Sequence, residues 1–425
     1  MDHSLEIIPH FQRARDAVSA FLLVNRKWPT VKSGVISFDA ELQQRLTGLR
    51  GQGLLRELRR VDSPPGTRLR IGGHTLLNFS SNDYLGLAND ARLKHAAIEA
   101  VGRFGAGAGA SRLICGSLAA HHELEEALAH FKATEAALSF SSGYTTAVGT
   151  IGALLGKDDI VILDKLVHAC IVDAARLSGA KIRVFAHNDL NDLEDKLKWA
   201  EKVPNAPRKL IVTESIFSMD GDAAPLAEIV ALKEKHGAWL MVDEAHATGL
   251  YGKSGRGLAE ASGVSDRIEI QMGTLGKALG ASGGYICGSR PLIDFLINRA
   301  RSLIFSTAPV PAAAAAATAA VQFVQTSAGG KRRRTLWERC KQLNSKPKVK
   351  SSNFRRAIIP VMIGGEAMAV EAAARLRRQD IFVPAIRYPT VARGQARLRV
   401  TLTAAHSSAD ISQLIHALKT LDPGR

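Results

Sequence analysis

Short apolar runs alternate with helical stretches between about residues 76 and 300. Four of the runs have the length and composition of buried strands, namely AALSF (136–140), IVILD (160–164), KLIVTE (209–214) and AWLMVDE (238–244). Each run is followed by a helical or loop segment. This alternation is typical of an α/β domain with a largely parallel sheet.

The segments on either side of this region follow other patterns. Residues 1–35 have no regular pattern, so we interpret them as an N-terminal extension, and residues 36–75 are predicted to form a helical segment. The alanine-rich stretch 308–324 has proline at its start and strong helix formers after it, which predicts a helix. We therefore predict a large domain over 76–310 and a smaller α+β domain over 311–425.

Composition limits the class of protein. Hydrophobic residues make up 46% and charged residues 23%, as in ordinary soluble globular proteins, and no membrane partner is expected. The N-terminus does not resemble a secretory signal, and the four cysteines are scattered, so we expect a cytoplasmic protein without a metal site or disulfide framework. The net charge of +16 favours anionic ligands. The basic run KRRR (331–334) is predicted to be a solvated face.

Two adjacent strings are typical of a protein of another class, a nucleic-acid-dependent NTPase. DEAH (243–246) is a helicase signature, and ATGLYGKS (247–254) fits a relaxed phosphate-loop pattern. In such enzymes, however, the phosphate loop joins its own strand to its own helix, and the acidic motif ends a different strand. Because the two strings abut here, we keep the NTPase only as a distant alternative and expect no nucleic-acid partner.

Chemically useful groups follow the ends of the predicted strands, where ligands bind in open α/β sheets. The set comprises backbone N–H groups at a helix N-terminus, two imidazoles, two hydroxyls, a carboxylate and a lysine between glycines. Taken singly, each residue has an ordinary structural role, but their joint placement favours one shared site. Its members are Gly143, Tyr144, His168, Ser218, Asp243, His246, Thr274 and Lys277.

This set matches the needs of pyridoxal phosphate (PLP) and of no metal. Lys277 would form the Schiff base, and Asp243 would pair with the pyridine nitrogen so that the ring accepts electrons. His168 would stack on the ring, and His246 would contact its hydroxyl group. The remaining members would bind the phosphate: Gly143, Tyr144, Ser218 and Thr274.

Longer stretches of the chain are similar to the signatures of a known family. They are NFSSNDYLGLA (78–88), HNDL (187–190), FSMDGD (217–222), MVDEAHATGLYG (241–252), TLGKALG (274–280) and TLTAAH (401–406). Over about residues 40–420 the chain resembles the α-oxoamine synthases, a branch of the fold-type I PLP enzymes. The resemblance implies a fold-type I transferase, a Schiff base and proton transfer at Lys277, and a homodimer with its active site at the subunit interface. Asp243 and His168, assigned above from their placement, are the other predicted catalytic residues.

The resemblance also implies a reaction, the decarboxylative condensation of an amino acid with an acyl thioester carried on CoA or a carrier protein. AIRYPTVARGQARLRVTLTAAH (385–406) is similar to the branch that joins L-alanine to a pimeloyl thioester in biotin biosynthesis. TLGKALGASGGY (274–285) is more similar to the branch that uses glycine and acetyl-CoA, so this alternative stays open.

Motif positions within the family imply further site residues. Substrate contacts would come from Arg56, Asn82, His168, Arg387 and Thr390. Among these, Arg56 would bind the far carboxylate of the acyl chain. Thr307, in FSTAP (305–309), would reach the cofactor phosphate of the neighbouring subunit.

Overall fold

The computed structural model describes residues 36–204, 208–344 and 355–421. The chain divides into two compact units between Glu57 and Leu58. In the first unit, helix α1 (Phe38–Gly51) is capped by Ser37, whose hydroxyl oxygen accepts a hydrogen bond from the N–H of Ala40 at 3.2 Å. The prediction of a helical segment is wrong beyond this helix, because residues 68–78 form a hairpin of β1 (Arg68–Ile71) and β2 (His74–Asn78).

A mostly parallel sheet forms the centre of the second unit. Among the described residues it has seven strands in the order β3-β9-β8-β7-β6-β4-β5, and only β9 runs antiparallel to its neighbours. The strands are β3 (Ala136–Phe140), β4 (Ile160–Asp164), β5 (Lys181–Phe185), β6 (Lys209–Glu214), β7 (Trp239–Asp243), β8 (Ile270–Thr274) and β9 (Gly284–Gly288). This arrangement confirms the predicted α/β class.

Apolar side chains cover both faces of this sheet. Along β4, Ile160 and Ile162 pack into one hydrophobic cluster, while Val161 and Leu163 pack into another. Because successive side chains of a strand point to opposite faces, the two clusters lie on opposite sides of the sheet. Helices with apolar faces complete both layers: α2 (Ala91–Phe104), α3 (Ala119–Lys132), α4 (Gly143–Leu154), α5 (Ala169–Ser178), α6 (Leu190–Glu201), α7 (Leu226–Lys235), α8 (Leu258–Ala261), α9 (Arg290–Arg299) and α10 (Arg301–Ile304).

The C-terminal part contains smaller sheets. The predicted alanine-rich helix is confirmed as α11 (Pro311–Val324). The remaining elements are α12 (Ser327–Asn344), β10 (Ile358–Gly364), α13 (Glu366–Arg377), β11 (Ile381–Phe382), β12 (Ala385–Ile386), β13 (Ala396–Thr401) and α14 (Ser408–Lys419). Strands β10, β13 and β12 form an antiparallel sheet, and β11 joins β2 in parallel. The predicted limits of the large and small domains stay predictions.

The basic run on α12 has a structural role. Arg332 donates to the carbonyl oxygens of Leu85 and Gly86 at 2.9 and 3.0 Å and to the carboxylate of Asp90 at 2.7 Å. Arg333 donates to the carbonyl of Val324 at 2.6 Å. The prediction of a solvated face is therefore wrong for these two arginines, which tie α12 to the rest of the fold.

Candidate active site

The predicted lysine lies at the carboxyl edge of the sheet, three residues after β8. Its Nζ is 2.8 Å from Nε2 of His246, which lies three residues after β7. Burial lowers the pKa of Lys277, although the nearby carboxylates of Asp243 and Glu214 act in the opposite direction. A buried amine with a lowered pKa is a better nucleophile and base near neutral pH than an exposed lysine.

His246 connects the lysine to a tyrosine that the sequence argument did not identify. Its Nδ1 lies 2.7 Å from Oη of Tyr84, a residue with no exposed surface. Burial raises the pKa of Tyr84 to about 12, so its hydroxyl keeps its proton. Burial, with the charges of Lys277 and Arg399, holds the pKa of His246 well below its ordinary value. When Tyr84 donates to Nδ1, the neutral imidazole carries its proton on Nε2 and donates to the free amine of Lys277.

Two buried carboxyl groups lie on neighbouring strands. Asp243 ends β7 beside Glu214 at the end of β6, and their Cα atoms are register partners. Burial raises the pKa of Asp243, opposed by the charge of Lys277 and by the N–H of Ala245, which donates to Asp243 Oδ1 at 2.9 Å. Burial and the charge of Asp243 raise the pKa of Glu214 to about 8. A buried cation beside Asp243 would therefore favour its ionised form.

A buried arginine organises the neighbouring polar groups. Arg399 on β13 donates from Nη1 to Oδ1 of Asn82 at 3.0 Å and from Nε to the carbonyl oxygen of Ser218 at 2.7 Å. Tyr84 lies 3.2 Å from the same Asn82 oxygen, and the Ser218 N–H donates to Glu214 at 3.1 Å. Tyr84, Glu214 and Arg399 were therefore missed as site residues, although the quoted motifs contain Tyr84 and Arg399.

Three of the four predicted phosphate-binding residues, Gly143, Tyr144 and Thr274, lie together at the start of α4 and form a cradle. At the start of α4, the Ser142 hydroxyl and carbonyl oxygens accept from the N–H groups of Thr145 and Thr146, which leaves the first two helical N–H groups, of Gly143 and Tyr144, for a ligand. The Tyr144 side chain points elsewhere and donates to Asp173 at 3.0 Å.

Across the cradle, the hydroxyl of Thr274 is buried and has no hydrogen-bond partner among the described residues. Glycine is needed at two positions in this wall. A Cβ at Gly143 would lie 2.7 Å from Thr274, and one at Gly284 would lie 2.4 Å from the hydroxyl of Thr146. An unsatisfied hydroxyl opposite a helix N-terminus fits the phosphate predicted from the sequence.

His168 lies at the N-terminus of α5 and lines a cavity of about 1250 Å³. Ser218 and Thr390 line the same cavity, so the structure brings these three predicted residues together. Burial and the charge of Lys277 lower the pKa of His168. Its Nδ1 accepts from the N–H of Cys170 at 3.2 Å, which fixes the ring at the end of the helix.

Three other predicted contacts stay predictions. Arg387 is partly buried near Thr390, whose N–H donates to the Arg387 carbonyl at 3.0 Å. Thr307 is exposed and pairs with Ser111 in a short antiparallel bridge. Arg56 belongs to the first unit.

The structure contradicts the NTPase alternative. Asp243 ends β7, and the phosphate-loop-like residues 247–254 occupy the turns that follow the same strand, before a helix of only four residues, Leu258–Ala261. Within the described part of the chain, no group of three or more potential ligands is placed to hold a metal ion. No described helix is long and apolar enough to cross a membrane.

Comparison with known proteins gives consistent matches. The 8-amino-7-oxononanoate synthase of Geotalea daltonii is 46% identical over 380 residues, which cover 88% of this chain and 96% of that protein. The enzyme of the same name from an Anaeromyxobacter species is 50% identical over 386 residues, 89% of this chain and 94% of the relative.

Solved structures match as well. A structure of serine palmitoyltransferase (SPT) with the PLP internal aldimine has a TM-score of 0.82 at 32% identity. The match covers 90% of this chain and 97% of the SPT chain. The 8-amino-7-oxononanoate synthase of Francisella tularensis has a TM-score of 0.68 at 27% identity, with coverage of 81% and 96%. These matches confirm the resemblance to α-oxoamine synthases and the fold-type I class. The model of the family "Aminotransferase class I and II" matches residues 74–418, and the chain belongs to that family.

Proposed function

We propose that the chain is an 8-amino-7-oxononanoate synthase, which condenses L-alanine with a pimeloyl thioester and releases CO₂ and the free thiol. The observation that carries this proposal is the similarity to relatives of that name, at 43–50% identity over 88–90% of the chain. The family match over residues 74–418 includes Lys277, His246, Asp243 and Arg399. The arrangement of Lys277, His246 and Asp243 supports the chemistry independently.

The cofactor in this proposal is PLP, which when bound would supply an electron sink for the carbanion formed at the α-carbon of the amino acid. The N–H groups of Gly143 and Tyr144 and the hydroxyls of Ser218 and Thr274 would hold its phosphate. Asp243 would hold the pyridine nitrogen, His168 the face of the ring and His246 the ring hydroxyl. Lys277 would provide its covalent attachment.

Lys277 has the properties of the general base. Its lowered pKa leaves the amine free to take the α-proton, and the His246 contact at 2.8 Å holds Nζ in place. Tyr84 in turn holds the His246 ring at 2.7 Å. The same Lys277 nitrogen, once protonated, can return a proton to the product. In our proposal, Arg387 binds the carboxylate of alanine before its loss.

Two oxygens near the site, Oδ1 of Asn82 and the carbonyl oxygen of Ser218, already accept hydrogen bonds from a buried arginine. Arg399 donates to Asn82 and to the Ser218 carbonyl, so these groups are oriented before the substrate arrives. Preorganised groups of this kind need no rearrangement during the reaction, which favours the transition state. We infer that Asn82 contacts the substrate from this fixed frame and that Thr390 contacts it from the wall of the His168 cavity. A homodimer with Thr307 at the partner's phosphate and a cytoplasmic location belong to the same proposal.

A substrate matrix tests the proposal. Glycine, L-alanine and L-serine are each offered with acetyl-CoA, pimeloyl-CoA and palmitoyl-CoA, and release of the free thiol is followed with a chromogenic thiol reagent. We expect the highest kcat/KM for L-alanine with the pimeloyl donor. A preference for glycine with acetyl-CoA, or for L-serine with palmitoyl-CoA, would contradict the proposed substrates while leaving the role of Lys277 intact.

A further inference from the structure

The cavity beside His168 and Ser218 is lined by charged side chains, most of which already have partners. Arg397 pairs with Asp220. His187 lies 2.7 Å from Asp222, which lines the cavity, and 3.0 Å from Asp164. The third lining carboxylate, Asp173, accepts a hydrogen bond from the Tyr144 hydroxyl at 3.0 Å. The acidic groups of this cavity are therefore engaged with other residues.

Some positively charged side chains of the same cavity have no anionic partner among the described residues. Arg356 is partly buried, its Nε is buried without a hydrogen-bond partner, and no carboxylate or carbonyl oxygen of the described residues pairs with its guanidinium. Lys165 and Arg176 line the cavity as well, are exposed, and likewise form no ion pair within the described ranges. A buried N–H without an acceptor is costly, and a cleft with unbalanced charge of one sign concentrates ligands of the other sign.

We propose that Arg356 binds an anionic group of the acyl donor in this cavity, with Lys165 and Arg176 contributing positive potential. This inference rests on the proposed function, because an acyl thioester must approach the reacting groups near His168. A planar guanidinium matches a carboxylate or a phosphate through paired hydrogen bonds. The anion is therefore either the far carboxylate of the acyl chain or a phosphate of CoA. The sequence argument assigned the carboxylate to Arg56; in the described cavity, Arg356 is the partly buried arginine whose Nε has no acceptor among the described residues.

Four donors separate these sources. They are the CoA thioester and the uncharged N-acetylcysteamine thioester of pimelate, and the same two thioesters of pimelate monomethyl ester, in which the far carboxylate is masked. The variants are Arg356→Gln, which removes the charge, and Arg356→Lys, which keeps the charge without the fork. Arg355→Gln is the matched control, since Arg355 is the exposed neighbour and removal of its charge changes the net charge equally. Thermal unfolding and PLP absorbance establish that each variant is folded and loaded.

We expect Arg356→Gln to lower kcat/KM about 10-fold or more for one pair of donors, the scale of a lost charged hydrogen bond. Arg356→Lys should recover part of the loss, and Arg355→Gln should match the parent. A loss confined to both free-carboxylate donors identifies the acyl carboxylate, and a loss confined to both CoA donors identifies the CoA phosphates. Equal losses for all four donors, or none, would overturn the inference.

The proposed function can fail separately. If the parent uses only another acyl group, the pimeloyl assignment is wrong. The CoA and N-acetylcysteamine thioesters of that acyl group then decide whether Arg356 binds an anion. A loss of kcat/KM in Arg356→Gln with the CoA thioester alone supports the inference. Equal losses with both thioesters, or no loss with either, refute it.

Discussion

The contact between Tyr84 and His246 makes a prediction that does not depend on the substrate. Tyr84→Phe removes one oxygen from a side chain with no exposed surface, so packing is kept while the 2.7 Å contact to Nδ1 is lost. Asn82 loses the 3.2 Å contact with Tyr84 but keeps the hydrogen bond from Arg399 at 3.0 Å, whereas the buried Nδ1, for which Tyr84 is the donor in our assignment, loses its partner. A buried polar atom left without a partner lowers the free energy of unfolding by about 1–3 kcal/mol, which urea denaturation measures.

The same change should act on Lys277. Without the tyrosine hydroxyl, the imidazole is no longer held with its proton on Nε2, and the free amine loses a donor at 2.8 Å. A hydrogen bond worth about 0.5–1.5 kcal/mol to the neutral amine corresponds to roughly half to one pKa unit. The pKa of Lys277 should therefore rise by this amount. The assay is the rate at which the cofactor-free protein takes up PLP as a function of pH, followed by absorbance.

Tyr285→Phe is the matched control. Tyr285 is equally buried, and its hydroxyl lies 2.8 Å from that of Thr248, so the substitution also breaks one buried hydrogen bond. Both variants should lose stability, but only Tyr84→Phe should move the rise of the uptake rate to higher pH. An unchanged pH profile in Tyr84→Phe, or the same shift in Tyr285→Phe, would refute the reasoning.

Three further changes test other parts of the structure: His187 beside the cavity, the ion pair between Lys132 and Glu244 in the core, and Asp243. Although burial opposes it, Asp164 and Asp222 raise the pKa of His187 to about 10, above its unfolded value of about 6.5. The charged His187 therefore stabilises the fold fully below about pH 6.5, and this stabilisation disappears as the pH rises through about 10. The difference in unfolding free energy between the parent and His187→Gln should shrink over that range. A constant difference would contradict this. Lys132→Met leaves the Glu244 carboxylate in the core without its ion-pair partner and should lower the free energy of unfolding, measured by urea denaturation, by about 3–5 kcal/mol. The double variant Lys132→Met/Glu244→Gln should recover part of this loss. No recovery would contradict the role of the buried pair. Asp243→Asn should keep the fold and some cofactor but lower kcat/KM by several kcal/mol of transition-state stabilisation, with no effect of EDTA on the parent; chelator-sensitive turnover would contradict this assignment.

The sequence predicted the elements whose patterns are local. Continuous apolar runs identified β3, β4 and β6 with their observed ends, because a strand buried on both faces needs apolar residues throughout. Proline followed by alanines identified α11. The hairpin at residues 68–78 was not predicted, since its strands are half exposed and its sequence, RLRIGGHTLLN, contains no long apolar run.

The site divides in the same way. Lys277, Asp243 and His246 follow strand ends within a few residues, so their neighbourhood could be inferred from chain order alone. Arg399 and Tyr84 reach the same place from distant parts of the chain, because the end of β13 and the residues after it bond to residues 79–84. The N–H of Thr401 donates to the carbonyl of Phe79, and the N–H of Ala404 donates to the carbonyl of Tyr84, both at 2.8 Å. No spacing in the sequence reports that contact. The Arg332 anchor was missed for the same reason, since its acceptors lie more than 240 positions away.

The most direct test of the account follows the carbon atoms of the amino acid. L-alanine labelled with ¹³C at the carboxyl carbon is incubated with the purified protein, PLP and a pimeloyl thioester, and the products are measured by mass spectrometry. We predict unlabelled 8-amino-7-oxononanoate and labelled CO₂ in equal amounts, and neither from Lys277→Ala. A product that keeps the label, or undiminished turnover by Lys277→Ala, would contradict the account.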